Sequence, residues 1–244
     1  MIERPSIISR TSRISSINSL SELCEETGAD IDEVAKAIGM DSRIGSSFLK
    51  TSVGFGGSCF QKDILNLVYI SRSLGLEKVA NYWEQILIIN KHQRDRFAKK
   101  IHSLINKESL NKNVCILGWA FKKDTNDTRE SAAIYVTDYL IKSNINLNVY
   151  DPKVKESQIY FDLNYINSND INNRQSVSVY NTPLDCINQT NIIVLLTEWD
   201  EFKDYDWEKI YEKMNKPAYI YDGRNILEKD KLESIGFNYI GLGR

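Results

Sequence analysis

The sequence predicts an α/β protein, with an all-helical segment over residues 1–108 followed by a doubly wound, mostly parallel sheet over residues 109–244. Three observations carry this. Up to residue 105 the apolar residues recur at helical spacing, with no alternating run that would read as a strand. After residue 110 short apolar runs alternate with helical stretches, the order that a parallel sheet with crossover helices requires. Glycines and capping residues fall at the joints between these stretches.

In the first part, Ile14, Ile17, Leu20, Leu23 and Cys24 lie on one face of a helix over residues 14–28, with Gly28 as its stop. Asp30 and Glu33 form a capping-box pattern for a short helix ending at Gly39. A glycine-rich loop follows. Residues 60–74 then place Ile64, Leu67, Val68 and Leu74 on one helical face, with Gly75 as the stop. Residues 79–105 form a long helix striped by Val79, Trp83, Ile86, Ile89, Phe97, Ile101 and Leu104. A stripe of this length needs a covering surface, and the expected one is a second copy of the chain, met by this helix and by residues 14–28. The first fifteen residues are rich in Ser and Arg, but Glu3 and Pro5 interrupt them and they run straight into a helix, so no targeting role is expected.

In the second part, Val114-Cys115-Ile116-Leu117 is a strand closed by Gly118, with a helix over residues 132–142. Leu147-Asn148-Val149-Tyr150 is the next strand, closed by Asp151-Pro152. Further strands fall at residues 192–196 and 218–221, preceded by helices near residues 183–189 and 207–214. Residues 155–180, rich in Asn, Ser and Asp, read as a surface excursion. Strand, glycine, helix is a Rossmann-like opening, although Gly118-Trp119-Ala120-Phe121-Lys122-Lys123 lacks the G-x-G-x-x-G pattern and a tight turn explains the glycine equally well. Ligands of open α/β sheets bind at the carboxyl ends of strands. Lys122, Lys123 and Arg129 fall just after the first strand and Arg224 just after the strand at 218–221, so an anion site is expected there.

Composition narrows the function classes. Apolar residues make up 42% and charged residues 26%, enough for a packed globular core in one large domain or two small ones. The 31 basic and 33 acidic side chains nearly cancel, which leaves no bulk electrostatic case for nucleic acid. No apolar run approaches the ~20 residues of a membrane span. Cys24, Cys59, Cys115 and Cys186 are widely spaced, arguing against a zinc site or a disulfide framework and for a reducing compartment, the cytoplasm. His92 and His102 sit in a lysine-rich helical stretch, so a general base must be a carboxylate, a lysine or a bound water.

The densest chemistry lies in Val53-Gly54-Phe55-Gly56-Gly57-Ser58-Cys59-Phe60-Gln61-Lys62-Asp63. Glycines let backbone N–H groups approach a ligand closely. Cys59 falls where the loop becomes a helix, a position that favours thiolate, and Lys62 adds charge if it faces inward. Asp63, four residues on, shares its helix face. Together they suggest a site that holds a phosphorylated substrate and attacks it with sulfur.

That loop, with Arg13-Ile14-Ser15-Ser16-Ile17-Asn18, Phe48-Leu49-Lys50, Ala120-Phe121-Lys122-Lys123-Asp124-Thr125, Asp127-Thr128-Arg129-Glu130-Ser131, Tyr150-Asp151-Pro152, Thr197-Glu198-Trp199 and Asp222-Gly223-Arg224, resembles the UDP-glucose 6-dehydrogenases of animals and plants. The resemblance runs from about Arg13 to about Gly243. It implies a parent chain with an N-terminal NAD-binding Rossmann domain, a helical dimerisation segment and a Rossmann-like UDP-sugar domain. This sequence is similar to the last two, so it reads as the second half of such a chain, and alone it is expected to be inactive. The family's catalytic lysine and a nearby asparagine fall on Glu3 and Ile7, and neither identity is kept.

The resemblance further implies two oxidations of the C6 alcohol of UDP-glucose with NAD as hydride acceptor. Cys59 would form the thiohemiacetal and thioester, and Asp63 would orient the hydrolytic water. Lys50, Thr51, Ser52, Val53, Gly54, Phe55 and Gly56 would hold the sugar and diphosphate, with Phe48 at the loop's entry. Phe48 and Phe55 also read as simple packing residues. Arg43 resembles the arginine that reaches a neighbouring subunit's substrate site. Phe121, Lys122 and Arg224 resemble substrate contacts, and Cys59, Phe60, Gln61, Lys62 and Arg129 resemble NAD contacts. No metal is expected, and the partners expected are UDP-glucose and a second copy of the chain. Two alternatives stay open: a non-catalytic UDP-sugar-binding fragment, and a dehydrogenase of another NDP-sugar.

Overall fold

The computed structural model describes residues 5–244. The chain divides into two compact units, one comprising residues up to Arg94 with Leu242–Arg244, the other Asp95–Gly241.

The first unit is helical. It contains α1 (Pro5–Thr27), α2 (Ile31–Met40), α3 (Ser58–Ser73) and the first half of α4 (Glu77–Lys107). Helix α1 begins well before residue 14. Its extra turns bury Ile7, Ile8 and Thr11, and the Thr11 hydroxyl donates back to Ile7 O at 3.1 Å and Ile8 O at 3.0 Å. A hydroxyl satisfied by its own helix lets a Ser/Thr-rich stretch stay helical, which composition alone hides. Asp30 caps α2 through Asp32 N at 2.7 Å. Ile17 and Cys24 pack on Ile31, with Val34, Ala35 and Ile38 against them. A second core joins Ile8, Phe55, Ile64, Val68, Ala80 and Ile86. Each fully buried aliphatic side chain contributes about 1.5–3 kcal/mol. The last residues close this unit: Ile31 N donates to Gly243 O and Gly243 N to Glu25 Oε1, each at 2.9 Å.

Much of the apolar surface expected to meet a second copy is therefore buried within the chain itself, including Ile17, Ile86, Phe97 and Ile101. The large apolar side chains left exposed on α3 and α4 are Leu65, Tyr69, Val79, Tyr82 and Ile88.

The second unit is a six-stranded sheet in the order β3-β2-β1-β4-β5-β6, every pairing parallel. Its strands are β1 (Asn113–Leu117), β2 (Asn146–Tyr150), β3 (Val177–Val179), β4 (Ile192–Leu195), β5 (Tyr219–Asp222) and β6 (Asn238–Gly241). Central β1 and β4 are buried along almost their whole length, as continuous Val/Ile/Leu runs require. The order reverses between β1 and β4, so the ligand crevice of such a sheet lies outside Leu117 and Leu195. The helices are α5 (Ala132–Lys142), α6 (Glu156–Asn167), α7 (Asp170–Ser176), α8 (Pro183–Ile187), α9 (Trp207–Lys213) and α10 (Lys229–Ile235), with the second half of α4. Phe97 of α4 meets the Tyr221 ring edge-on at 5.9 Å.

Residues 155–180 are not a surface excursion: they form α6, α7 and β3 and bury Ile159, Tyr160, Leu163 and Val177. The polar residues that suggested a loop pair with one another. Asn173, fully buried, donates to Asn164 Oδ1 at 2.7 Å and Asn167 Oδ1 at 2.9 Å and accepts from Asn167 Nδ2 at 2.9 Å. Asn173→Ala should therefore lower unfolding stability by about 1–3 kcal/mol, read as a shift in urea midpoint. The segment containing α10 and β6, which no sequence pattern above assigned, completes the sheet's far edge.

Candidate functional site

Two clusters carry the chemistry, one in each unit. In the helical unit the loop before α3 is gripped by side chains. Arg13 on α1 donates from Nη1 to Ser47 O at 2.7 Å and from Nη2 to Ile44 O, and the Arg10 guanidinium lies 5.1 Å from the Phe48 ring centre. Asn18 Oδ1 accepts from Ser52 N at 2.9 Å and from Thr51 Oγ1 at 3.1 Å. Gln93 Nε2 donates to Ser52 O at 3.0 Å. Asn90 accepts from Phe55 N at 2.9 Å and donates to Phe55 O at 3.1 Å. Thr51, Val53, Gly54, Phe55 and Gly56 are buried, while Lys50 is exposed.

Gly57, with φ 87°, is the N-cap of α3 and gives it no side-chain cap, and Cys59 is the second residue of that helix, within its first turn, where backbone N–H groups lack intrahelical partners. Cys59 is half-buried, with Ser58 Oγ at 3.8 Å from its sulfur. Phe60 meets Phe55 edge-on at 5.7 Å. Gln61 and Asp63 are half-buried, and Lys62 points to the surface. The other cysteines are buried. Cys115 and Cys186 place their sulfurs 2.9 Å apart, and burial first, then Cys186, pushes the Cys115 thiol up. Of the two positions where the resemblance leads one to look for a catalytic lysine and an asparagine, Ile7 is buried and Glu3 lies outside the described residues.

In the sheet unit, Asp151 at the end of β2 shapes the turn after β1. Its Oδ2 accepts from Trp119 N at 2.6 Å, Ala120 N at 3.0 Å and Trp199 Nε1 at 3.1 Å, and its Oδ1 from Lys153 N and Val154 N at 2.9 Å. Trp119 is fully buried and donates its indole N–H to Asp162 at 2.9 Å. Asp222, also fully buried, accepts from Arg224 N, Ile226 N and Leu227 N and so shapes the turn after β5. Arg224 donates to Leu196 O at 2.8 Å and Phe121 O at 3.2 Å and lies 3.3 Å from Glu198. The fold thus brings Arg224 to Phe121, with the exposed Lys122 ammonium 5.6 Å from the Phe121 ring centre. Lys123 is instead tied to Asp200.

The candidate arginines share a local device. Each follows an aspartate by two positions and donates its backbone N–H to that carboxylate: Asp41 with Arg43 at 2.9 Å, Asp127 with Arg129 at 3.0 Å, Asp222 with Arg224 at 3.0 Å. In the first two the guanidinium also grips the carboxylate through two nitrogens. That grip holds the Asp41 and Asp127 carboxyls below the usual carboxylate range. Sequence reasoning picked out neither this spacing nor Asn90 and Gln93, and it gave Asn18 and Asp151 a place in motifs but no role. The signal for Asn90 was legible: it is polar where the helical stripe calls for an apolar residue, four positions after Ile86.

Among the described residues no group of His, Cys, Asp and Glu is arranged to hold a metal, and no helix is long and apolar enough to cross a membrane.

Comparison with known proteins assigns the family. Residues 6–92 match the UDP-glucose/GDP-mannose dehydrogenase family, central domain, and residues 115–229 the UDP binding domain of the same family. The UDP-glucose 6-dehydrogenase of Drosophila melanogaster is 52% identical over 235 residues, 95% of this chain and 49% of that protein. That of Bos taurus is 50% identical over 235 residues, 95% of this chain and 48% of that protein. A solved UDP-glucose dehydrogenase from Pyrobaculum islandicum superposes with a TM-score of 0.74 at 25% identity, covering 97% of this chain and 50% of that one. The chain thus spans about half the length of the relatives it matches. With both domain matches in chain order and half of its residues shared with the animal enzymes, this chain belongs to the UDP-glucose/GDP-mannose dehydrogenase family.

Proposed function

We propose that the protein serves the NAD-dependent oxidation of UDP-glucose to UDP-glucuronate, with Cys59 as the thiol that adds to the C6 aldehyde. The observation that carries this is Cys59, half-buried at the N-terminal turn of α3 directly after the glycine-rich loop, in a chain half of whose residues are shared with proteins named UDP-glucose 6-dehydrogenase. Addition would form an S–C bond and move the thiol proton to the former carbonyl oxygen; once that carbon has given up a hydride to NAD, Asp63, one turn along α3, would hold the water that attacks the acyl carbon and releases the thiol.

NAD would serve as the hydride acceptor, but the turn after β1 offers it no dinucleotide seat. The turn after β1 runs through buried Trp119, and Asp151, at the strand end where dinucleotide folds place the ribose-binding acid, gives both oxygens to protein donors. The NAD contacts proposed for this chain are Arg129 in the sheet unit and Cys59, Phe60, Gln61 and Lys62 in the helical unit. The turn after β1 favours, as a second reading for this chain taken alone, a UDP-sugar-binding fragment without turnover; NADH formation on mixing it with UDP-glucose and NAD decides between them.

In the helical unit Lys50 and the Gly56–Gly57 end of the loop would offer contacts to UDP-glucose, since Ser52, Gly54 and Phe55 already give their N–H groups to protein oxygens; in the sheet unit Lys122 and Arg224 would do so. Arg43 would reach a second copy, with Leu65, Tyr69, Val79 and Tyr82 on the apolar surface between copies. A reducing cytoplasm suits four unbridged cysteines. Calorimetry with UDP-glucose tests the reading. Lys122→Ala and Arg224→Ala should each lose about 1.5–3 kcal/mol of binding, and unchanged affinity in both would refute these two contacts.

A further inference from the structure

The loop that leads to Cys59 is pinned at two residues, each at both its N–H and its C=O. Ser52 is held by two side chains, Asn18 at its N–H and Gln93 at its C=O. Phe55 is held by one, Asn90, whose Oδ1 and Nδ2 take the N–H at 2.9 Å and the C=O at 3.1 Å. We propose that Asn90 is the positioning residue of the reactive loop, a carboxamide whose paired acceptor and donor set the backbone at Phe55 and through it the presentation of Gly56, Gly57 and Cys59. The proposal rests on the reading of Cys59 as the reactive thiol.

Three features support it. Asn90 is only 2% exposed, so its amide has little competition from water; the charged side chain beside it is the buried Arg94, one turn along α4, whose Cγ would lie 3.2 Å from the same Gly54 Cβ. Its orientation is dictated by its partner, since a backbone N–H only donates and a carbonyl only accepts. Gly54 makes room for it: a Cβ there would lie 2.8 Å from Asn90 Oδ1, so the glycine and the amide form one fitted unit. Asn90 touches no reacting atom, and its effect passes through Phe55, whose ring in turn meets Phe60 beside Cys59.

The chemistry of the pair supplies a test that a mere packing role would not satisfy. In Asn90→Asp the carboxylate still accepts from Phe55 N but opposes Phe55 O with a second acceptor. The protonated acid, like the amide, both accepts and donates. Two readouts apply to the full chain: hydrogen exchange of the Phe55 amide, and the factor by which UDP-glucose slows iodoacetamide labelling of Cys59, each taken as the ratio of variant to wild type at the same pH. At pH 8, Asn90→Asp should exchange faster at Phe55 and lose protection on the order of tenfold. Both ratios should return toward one as the pH falls and the acid protonates, whereas Asn90→Leu should lose protection at every pH. Gly54→Ala, which crowds the amide from the other side, should lose it too and serves if Asn90→Asp does not fold at pH 8. Ratios that stay flat with pH in Asn90→Asp, or full protection in Asn90→Leu or Gly54→Ala, overturn the proposal. Absent protection of Cys59 in the wild-type chain would instead count against the proposed function, leaving Phe55 exchange to judge Asn90.

Discussion

Iodoacetamide is expected to label Cys59 before Cys24, Cys115 or Cys186, and UDP-glucose to slow that labelling. Cys59 is half-buried at the head of α3, while Cys24 is 5% exposed and Cys115 and Cys186 are fully buried. A buried thiol reacts only when the structure opens. An opening that costs roughly 3 kcal/mol slows labelling on the order of a hundredfold, because each 1.4 kcal/mol is a factor of ten. Cys115 carries a further handicap, since burial and its Cys186 neighbour keep it protonated and the thiolate is the species that reacts. Ligand protection should follow from cover of the Gly56–Gly57 end of the loop, which leads into Ser58 and Cys59. Peptide mass spectrometry over a time course reads both effects. If Cys24 or Cys186 is labelled first, or UDP-glucose leaves Cys59 unprotected, the reactive-thiol reading of this loop fails.

Gly118→Ala should be among the most damaging single substitutions in the sheet unit. Gly118 ends β1 at the switch point with φ 95°, a conformation that favours glycine. A Cβ there would lie 2.5 Å from Thr197 Cβ and 2.7 Å from Thr197 N, and backbone cannot swing away as a side-chain tip can. Thr197 is itself held, fully buried, by its hydroxyl bond to Ala120 O at 2.6 Å. Backbone strain and overpacking together should cost about 2–6 kcal/mol, a large part of a domain's stability of roughly 5–15 kcal/mol. Gly75→Ala is the control: its φ is also positive, at 72°, but no atom lies within 4 Å of the added Cβ, so only the strain of roughly 1 kcal/mol remains. Urea unfolding of the two variants separates crowding from strain. Equal shifts would mean that the β1–Thr197 contact yields easily.

The helical stripes, the alternation of strands and helices after residue 110 and the Cys59 loop could be read from residue order, because each is a local pattern whose period or turn chemistry is written in neighbouring positions. The sequence by itself determined the family, the parallel sheet and the residues that carry charge and sulfur toward a ligand. Tertiary structure decided the rest. Residues 155–180 became helix and strand because their amides satisfy one another at a distance, as Asn173 does with Asn164 and Asn167. Lys123 was taken out of the anion cluster by Asp200, and Arg224 was brought to Phe121, by the way the turns after β1, β4 and β5 converge. Asn90 meets Phe55 across 35 positions of chain. Hydrogen bonds of that range depend on how packed elements bring distant groups within about 3 Å, and no local period encodes that distance.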